Sequence, residues 1–213
     1  MIRENHITVN RTARYYTFGE LTSKTKQIWF VLHGWGMNAK DFIKEFEPLL
    51  TEEVFFIAPE ALNRFYLKVG GGNVGATWMT REDRLNEIKD YISYLDSLYT
   101  HFGLEKYPSA KIVALGFSQG TATLTRWLNS TNNKVDTAIV HSGDVAPELL
   151  PIKETSGLKR TKNFIFYGTK DEYFPLPLIH KMLKNYRSLN FTEVEFDGGH
   201  EINIKLLKDH FFT

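Results

Sequence analysis

Apolar positions along this chain fall into two patterns. Short unbroken runs, bounded by polar or turn-forming residues, recur at Gln27-Ile28-Trp29-Phe30-Val31-Leu32-His33, Glu53-Val54-Phe55-Phe56-Ile57-Ala58 and Lys111-Ile112-Val113-Ala114-Leu115. Others follow at Thr137-Ala138-Ile139-Val140-His141 and Asn163-Phe164-Ile165-Phe166-Tyr167, and Phe191-Thr192-Glu193-Val194-Glu195-Phe196, interrupted by polar residues, reads as a last strand. Such runs predict strands, most of them buried on both faces. Between them the spacing becomes helical. Leu85, Ile88, Ile92, Leu95, Tyr99 and Phe102 repeat at alternating intervals of three and four, which predicts one long amphipathic helix. Thr80 is read as its N-cap, Glu82 and Asp83 as its first turn, and Gly103 as its end. Shorter helices are predicted over 41–50, from Thr121 to Leu128, over 178–188 and over 201–210.

Ahead of these elements, Ile7-Thr8-Val9 and Ala13 to Phe18 flank a short turn and predict an antiparallel hairpin. Residues 60–80, with Gly70, Gly71, Gly72 and Gly75 among aromatics, read as a loop, as do 144–160. Strands alternating with helices imply an α/β fold: a mostly parallel sheet of about eight strands, covered by helices on both faces. No repeat, low-complexity run or linker divides the chain, so residues 1–213 are expected to form one domain. No segment is long enough for a separate cap, so any site is expected to be open.

Composition narrows the classes. Hydrophobic residues make up 42% and charged residues 24%, as in ordinary globular proteins. A net charge of +1 with scattered basic residues gives no footprint for nucleic acid. The absence of cysteine excludes disulfides, thiolate metal sites and a cysteine nucleophile. No stretch approaches 18 apolar residues, and Met1 to His6 lack an apolar core of the signal-peptide kind, so a cytoplasmic location is expected.

The chemistry centres on Gly116-Phe117-Ser118-Gln119-Gly120, placed directly between a buried strand and a helix. G-x-S-x-G in that context is the nucleophile-elbow signature, with glycines where neighbouring backbone leaves no room for side chains. A serine nucleophile needs a base, an orienting acid and two oxyanion donors. In chain order the acid should follow the serine and precede the histidine. Asp171 follows the strand ending at Tyr167 and is the preferred acid, with Glu172 adjacent as a competitor. His200, after Asp197-Gly198-Gly199 at the end of the last strand, is the preferred base, and His141 is the runner-up. Backbone N–H groups of Gln119 and of Trp35, within His33-Gly34-Trp35-Gly36, are the candidate oxyanion donors, and His33 is expected to orient that loop. Trp35, Met37, Phe65, Tyr66, Trp78 and Phe174 are candidates for an apolar substrate wall. The glycine cluster 70–75 has no Gly-Lys-Ser/Thr after it and is read as a rim of the site rather than a phosphate cradle.

Taken together, Leu32-His33-Gly34-Trp35-Gly36, Gly116-Phe117-Ser118-Gln119-Gly120, Ser142-Gly143, Tyr167-Gly168-Thr169-Lys170-Asp171 and Gly198-Gly199-His200-Glu201 resemble the phospholipase/carboxylesterase family of α/β-hydrolases, which includes the acyl-protein thioesterases. The resemblance spans nearly the whole chain. It implies a lidless, cytoplasmic hydrolase of carboxylic esters or thioesters that needs neither metal nor other cofactor. Met37-Asn38 and Trp78-Met79-Thr80 depart from the family pattern, both where the family shapes its acyl pocket. A peptidase or an acyltransferase would use the same triad, and a binding protein could keep the fold without the chemistry.

Overall fold

The computed structural model describes residues 1–212. The first strand, β1 (Tyr15–Phe18), is followed by β2 (Gln27–Leu32), a single-turn helix α1 (Ala39–Phe42) and β3 (Val54–Pro59). A small antiparallel pair comes next, β4 (Asn63–Tyr66) and β5 (Val74–Thr77), and then the long helix α2 (Arg84–His101). The remainder alternates: β6 (Lys111–Phe117), α3 (Gln119–Ser130), β7 (Thr137–His141), β8 (Lys162–Gly168), α4 (Leu176–Asn185), β9 (Thr192–Phe196) and α5 (Ile204–Phe211).

Seven strands form one sheet in the order β1-β3-β2-β6-β7-β8-β9. All neighbours run parallel except β1 against β3. Alternate residues of the buried strands feed two separate cores. Ile28, Phe30 and Leu32 of β2 pack with Tyr91 and Leu95 of α2, Leu124 and Trp127 of α3, and Ile179 of α4. Trp29 and Val31 face the other way, onto Phe42 of α1, Phe46, and Leu207 of α5. This two-sided burial is why the strands read as unbroken apolar runs.

The strand order also fixes where a site can form. From β2 the chain first steps outward to β3, then returns past β2 to β6 on its other side. The sheet therefore changes winding direction between β2 and β6. Loops leaving the carboxyl ends of two such strands diverge and open a crevice between them.

Four expectations are corrected. Ile7–Val9 form no strand; Ile7 is 86% and Val9 72% exposed, and β1 pairs instead with β3 from Tyr15↔Pro59 to Phe18↔Phe56. A two-stranded ribbon with nothing to bury it against is not stable alone, so the distant strand wins. Residues 41–50 form only the end of α1 followed by a 3₁₀ stretch, Ile43–Leu49, whose Pro48 cannot donate into an α-helical ladder. The long helix begins at Arg84, after Asp83 in the left-handed region at φ 48°, and Thr80 is no cap; its N–H binds the Glu87 carboxylate at 2.6 Å. Leu85 consequently lies 75% exposed, and the buried stripe is Tyr91, Leu95, Leu98 and Tyr99. The segment over 60–80 is mostly the β4–β5 hairpin, turned by Gly70, Gly71 and Gly72 at φ 90°, 118° and 98°, a region that favours glycine.

Candidate active site

Ser118 sits in the step from β6 to α3 with φ 52° and ψ −118°. A non-glycine residue holds such a conformation only where its surroundings over-determine it. Here its N–H donates to the His141 carbonyl at the end of β7 (3.1 Å), and its own carbonyl accepts from Thr121 Oγ1 (2.6 Å). The glycines on either side are required by close approach: a Cβ on Gly116 would run into the Gly120 carbonyl, and one on Gly120 into the Leu32 carbonyl.

The loop after β2 lies directly against this turn. A Cβ on Gly34 would stand 3.2 Å from Ser118 Cβ. His33, fully buried, accepts the Ala61 N–H at Nε2 (3.1 Å), so Nδ1 carries the proton and donates to the Gly34 carbonyl (2.7 Å). Burial pushes the imidazole down to about 4, outweighing the Gly34 hydrogen bond and the charge of Glu60, so the ring is neutral at physiological pH. Pulling the Gly34 carbonyl towards His33 turns the Trp35 N–H to the opposite side of that planar peptide. Among the described residues, neither the Trp35 N–H nor the Gln119 N–H donates a hydrogen bond.

The Gln119 side chain joins this corner to the hairpin. Its Oε1 accepts from the Trp78 N–H (3.1 Å) and its Nε2 donates to Thr77 Oγ1 (2.9 Å) and the Met79 carbonyl (3.1 Å). Strand β5 also pairs with the loop after β2, through Gly36 N–H to the Ala76 carbonyl and Ala76 N–H to the Met37 carbonyl, both 2.9 Å. The two backbone N–H groups are thus braced by one structure that includes the hairpin.

Asp171 and His200 meet on the other side. The Asp171 side chain is fully buried. Its Oδ1 accepts the N–H groups of Tyr173 (2.8 Å) and Phe174 (3.0 Å), and its Oδ2 binds His200 Nδ1 at 2.8 Å. That leaves His200 Nε2 as the nitrogen able to take a proton. The ring lies 5.0 Å, centroid to centroid, from Phe117, the residue preceding Ser118. The loops carrying the pair are joined by Lys170 N–H to the Gly198 carbonyl and Thr169 N–H to the Phe196 carbonyl, both 2.9 Å. Glu172, the competing acid, is exposed, and among the described residues it makes no hydrogen bond to this network.

His141 is removed from contention as a base. It is fully buried, its Nε2 accepts the Asn203 N–H (3.2 Å), and its Nδ1 contacts Ser142 Oγ (3.2 Å). Burial drives it down to about 3, with His200 acting in the same direction and Asp171 opposing. It joins the Ser118 turn to the chain just past His200. Its role was not legible in the sequence, since a histidine ending a strand looks the same whether its ring is buried or free.

The wall candidates divide. Trp35 is 62% and Tyr66 64% exposed, and Trp35 lies over Phe65 with centroids 5.3 Å apart. Met37 and Phe65 are half-buried. Phe174 stacks on the His200 ring at 6.0 Å and 13°. Trp78 does not belong with them: at 1% exposure it lies beneath the loop after β2, its Nε1 donating to the His33 carbonyl (2.9 Å). Tyr173, which the sequence reading passed over, stands 4.8 Å from His200.

Comparison with known proteins gives a consistent picture. A model of the phospholipase/carboxylesterase family matches residues 20–209. No curated protein matches the sequence. In fold, the chain is similar to a phospholipase/carboxylesterase from Dyadobacter fermentans, with TM-score 0.69 and 19% identity over 97% of this chain and 99% of that one. It is similar to Zea mays acyl-protein thioesterase 2, with TM-score 0.70 and 15% identity over 93% and 96%. A Bacillus cereus carboxylesterase gives TM-score 0.65 and 18% identity over 94% and 92%.

Proposed function

Because the chain belongs to the phospholipase/carboxylesterase family of α/β-hydrolases, we propose that it is a serine hydrolase of carboxylic esters or thioesters with small to medium acyl groups. Ser118 is the nucleophile, His200 the base and Asp171 the acid that holds the imidazole. The observation that carries this reading is the 2.8 Å bond from Asp171 Oδ2 to His200 Nδ1, whose ring packs 5.0 Å from Phe117, the residue before Ser118 at φ 52°. Asp171 and His200 meet there although they lie 29 positions apart in sequence, and the chain order Ser118, Asp171, His200 is the one this chemistry uses.

In the reaction, Ser118 Oγ bonds to the acyl carbon as its proton passes to His200 Nε2. The carbonyl electrons move onto oxygen, where the Trp35 and Gln119 N–H groups receive the charge, assisted by the positive end of α3. The C–O or C–S bond then breaks, and the leaving group takes the proton from His200. Water repeats the sequence on the acyl-enzyme: His200 removes its proton, hydroxide adds to the acyl carbon, and Ser118 leaves with that proton. Asp171 stabilises the imidazolium without itself being protonated. The exposed Trp35 with the half-buried Phe65 and Met37 forms one apolar wall for the acyl chain, and Phe174 bounds the opposite side; Tyr66, next to Phe65 in β4, faces the other side of the hairpin.

The test is turnover of p-nitrophenyl esters and acyl-thioesters of graded chain length by wild type and Ser118→Ala. Turnover by wild type with loss in the variant by about 10⁴-fold or more supports the reading. Equal turnover by the variant removes Ser118 from the mechanism.

A further inference from the structure

Three aromatic rings surround His200, and of these the proposed chemistry has so far used only Phe174, as one side of the acyl site. Phe117 lies 5.0 Å away by ring centroid, Tyr173 4.8 Å and Phe174 6.0 Å. Phe117 also packs within the core, stacked on Phe42 and 6% exposed, so burial alone accounts for it. Tyr173 is different. It is 71% exposed, its hydroxyl donates no hydrogen bond among the described residues, and its ring partner is His200. An aromatic in that position gains little from leaving water.

Its placement is nonetheless constrained. The Tyr173 and Phe174 N–H groups both donate to Asp171 Oδ1, at 2.8 and 3.0 Å, so one carboxylate positions the two rings and the imidazole together. Phe174 then lies nearly parallel to the imidazole, at 13°, and Tyr173 is inclined at 58°. All three centroids fall within the roughly 6 Å over which a ring quadrupole attracts a cation.

We propose that Tyr173 and Phe174 are positioning residues that bracket His200 and stabilise its imidazolium by cation–π attraction. The inference rests on the triad reading above. In the reaction the imidazolium forms as Ser118 gives up its proton, so the attraction comes into play as the tetrahedral intermediate forms. Such an interaction raises kcat rather than lowering KM. The titratable groups near the ring are Asp171, bonded to it, and the buried His141, which a charge on His200 pushes down; Glu172 and Glu201 are exposed on the two loops, which the exposed Lys170–Asp197 pair joins at 2.6 Å. None of these is replaced by a change in the Tyr173 ring.

The test places phenylalanine and its mono-, di- and trifluorinated analogues at position 173, which withdraws ring electron density at nearly constant shape. kcat for an activated ester is expected to fall stepwise from Tyr173→Phe to the trifluoro ring, by about five-fold in all, with KM unchanged. Tyr173→Leu, which keeps an apolar side chain without a π-face, should fall as far as the trifluoro variant. A flat kcat across the fluorinated series overturns the inference and leaves packing as the ring's role. A loss confined to KM and varying with the leaving group overturns it in favour of a substrate contact. Ser118→Ala, assayed alongside, separates the two levels. If Ser118→Ala is inactive and the series is flat, only the bracket fails; if Ser118→Ala is active, the triad reading fails.

Discussion

Two buried neutral histidines should make this protein progressively less stable as pH falls from 8 to 5. His33 and His141 are both 0% exposed, held at about 4 and about 3 in the folded chain. In the unfolded chain an imidazole titrates near 6.5. Below that value the unfolded state binds a proton at each position while the folded state does not, so protonation favours unfolding. Stability is fully present above the unfolded value and is lost on acidification through the window from about 6.5 down to the folded values. At pH 5 the difference is about 1.5 units of pH for each ring, or about 2 kcal/mol per histidine at 1.36 kcal/mol per unit. The two together amount to about 4 kcal/mol, a large part of the 5–15 kcal/mol typical of a domain. Urea unfolding at pH 8, 7, 6 and 5 would measure the loss, with His33→Asn and His141→Asn compared with wild type. Each variant is expected to be less stable at pH 8, since a buried hydrogen-bonded ring is removed. Each should nevertheless show a pH dependence shallower than wild type by about 2 kcal/mol between pH 8 and 5. Parallel curves for wild type and variants would refute the argument, because those imidazoles would then titrate alike in both states.

Further outcomes follow from the bracing of the site. Gln119→Ala removes the side-chain bonds to Thr77, Trp78 and Met79; it should cost about 1–3 kcal/mol in thermal or urea unfolding and lower kcat, although the Gln119 N–H remains. Gly34→Ala places a Cβ 3.2 Å from both Ser118 Cβ and Met37 Sδ; kcat for an ester should drop by at least about ten-fold, a change expected of reacting groups moved by a fraction of an ångström. Trp78→Phe leaves the buried His33 carbonyl without its donor and should reduce stability by about 1–3 kcal/mol without moving the acyl-chain optimum. Trp35→Ala, at a 62% exposed position, should do the reverse: little change in unfolding and a clear shift in the chain-length profile of kcat/KM.

The parallel core was legible because its strands are buried on both faces. Runs such as Ile28–Leu32 and Ile112–Leu115 admit no polar residue, and their order with the intervening helices dictates the sheet class. The candidate site followed from the same pattern, since Ser118 and Asp171 lie just beyond such runs and His200 just beyond the last strand, where apolar and polar residues alternate. What stayed hidden depends on long-range partners. Tyr15–Phe18 is visibly strand-like, but nothing local says that it pairs with β3 rather than with residues 7–9. The β4–β5 hairpin is short and glycine-rich, and its stability comes from pairing with the loop after β2, which no periodicity reports. Trp78 and Trp35 look alike in sequence, yet one indole N–H is committed to the His33 carbonyl and the other ring stands in solvent. The start of α2 was misplaced because Thr80, Glu82 and Asp83 imitate a capped first turn, whereas the chain takes a left-handed step at Asp83 first.

The most direct measurement is stoichiometric labelling with a fluorophosphonate ester, read by intact mass and by peptide mapping, on wild type, Ser118→Ala and His200→Ala. Phosphonylation displaces fluoride from phosphorus and needs an activated serine, so it reports the nucleophile without assuming the natural substrate. The account predicts one phosphonyl group per chain on Ser118, none on Ser118→Ala, and labelling of His200→Ala slowed by orders of magnitude. Labelling of another residue, or turnover of esters by a chain whose Ser118 is absent, would contradict it.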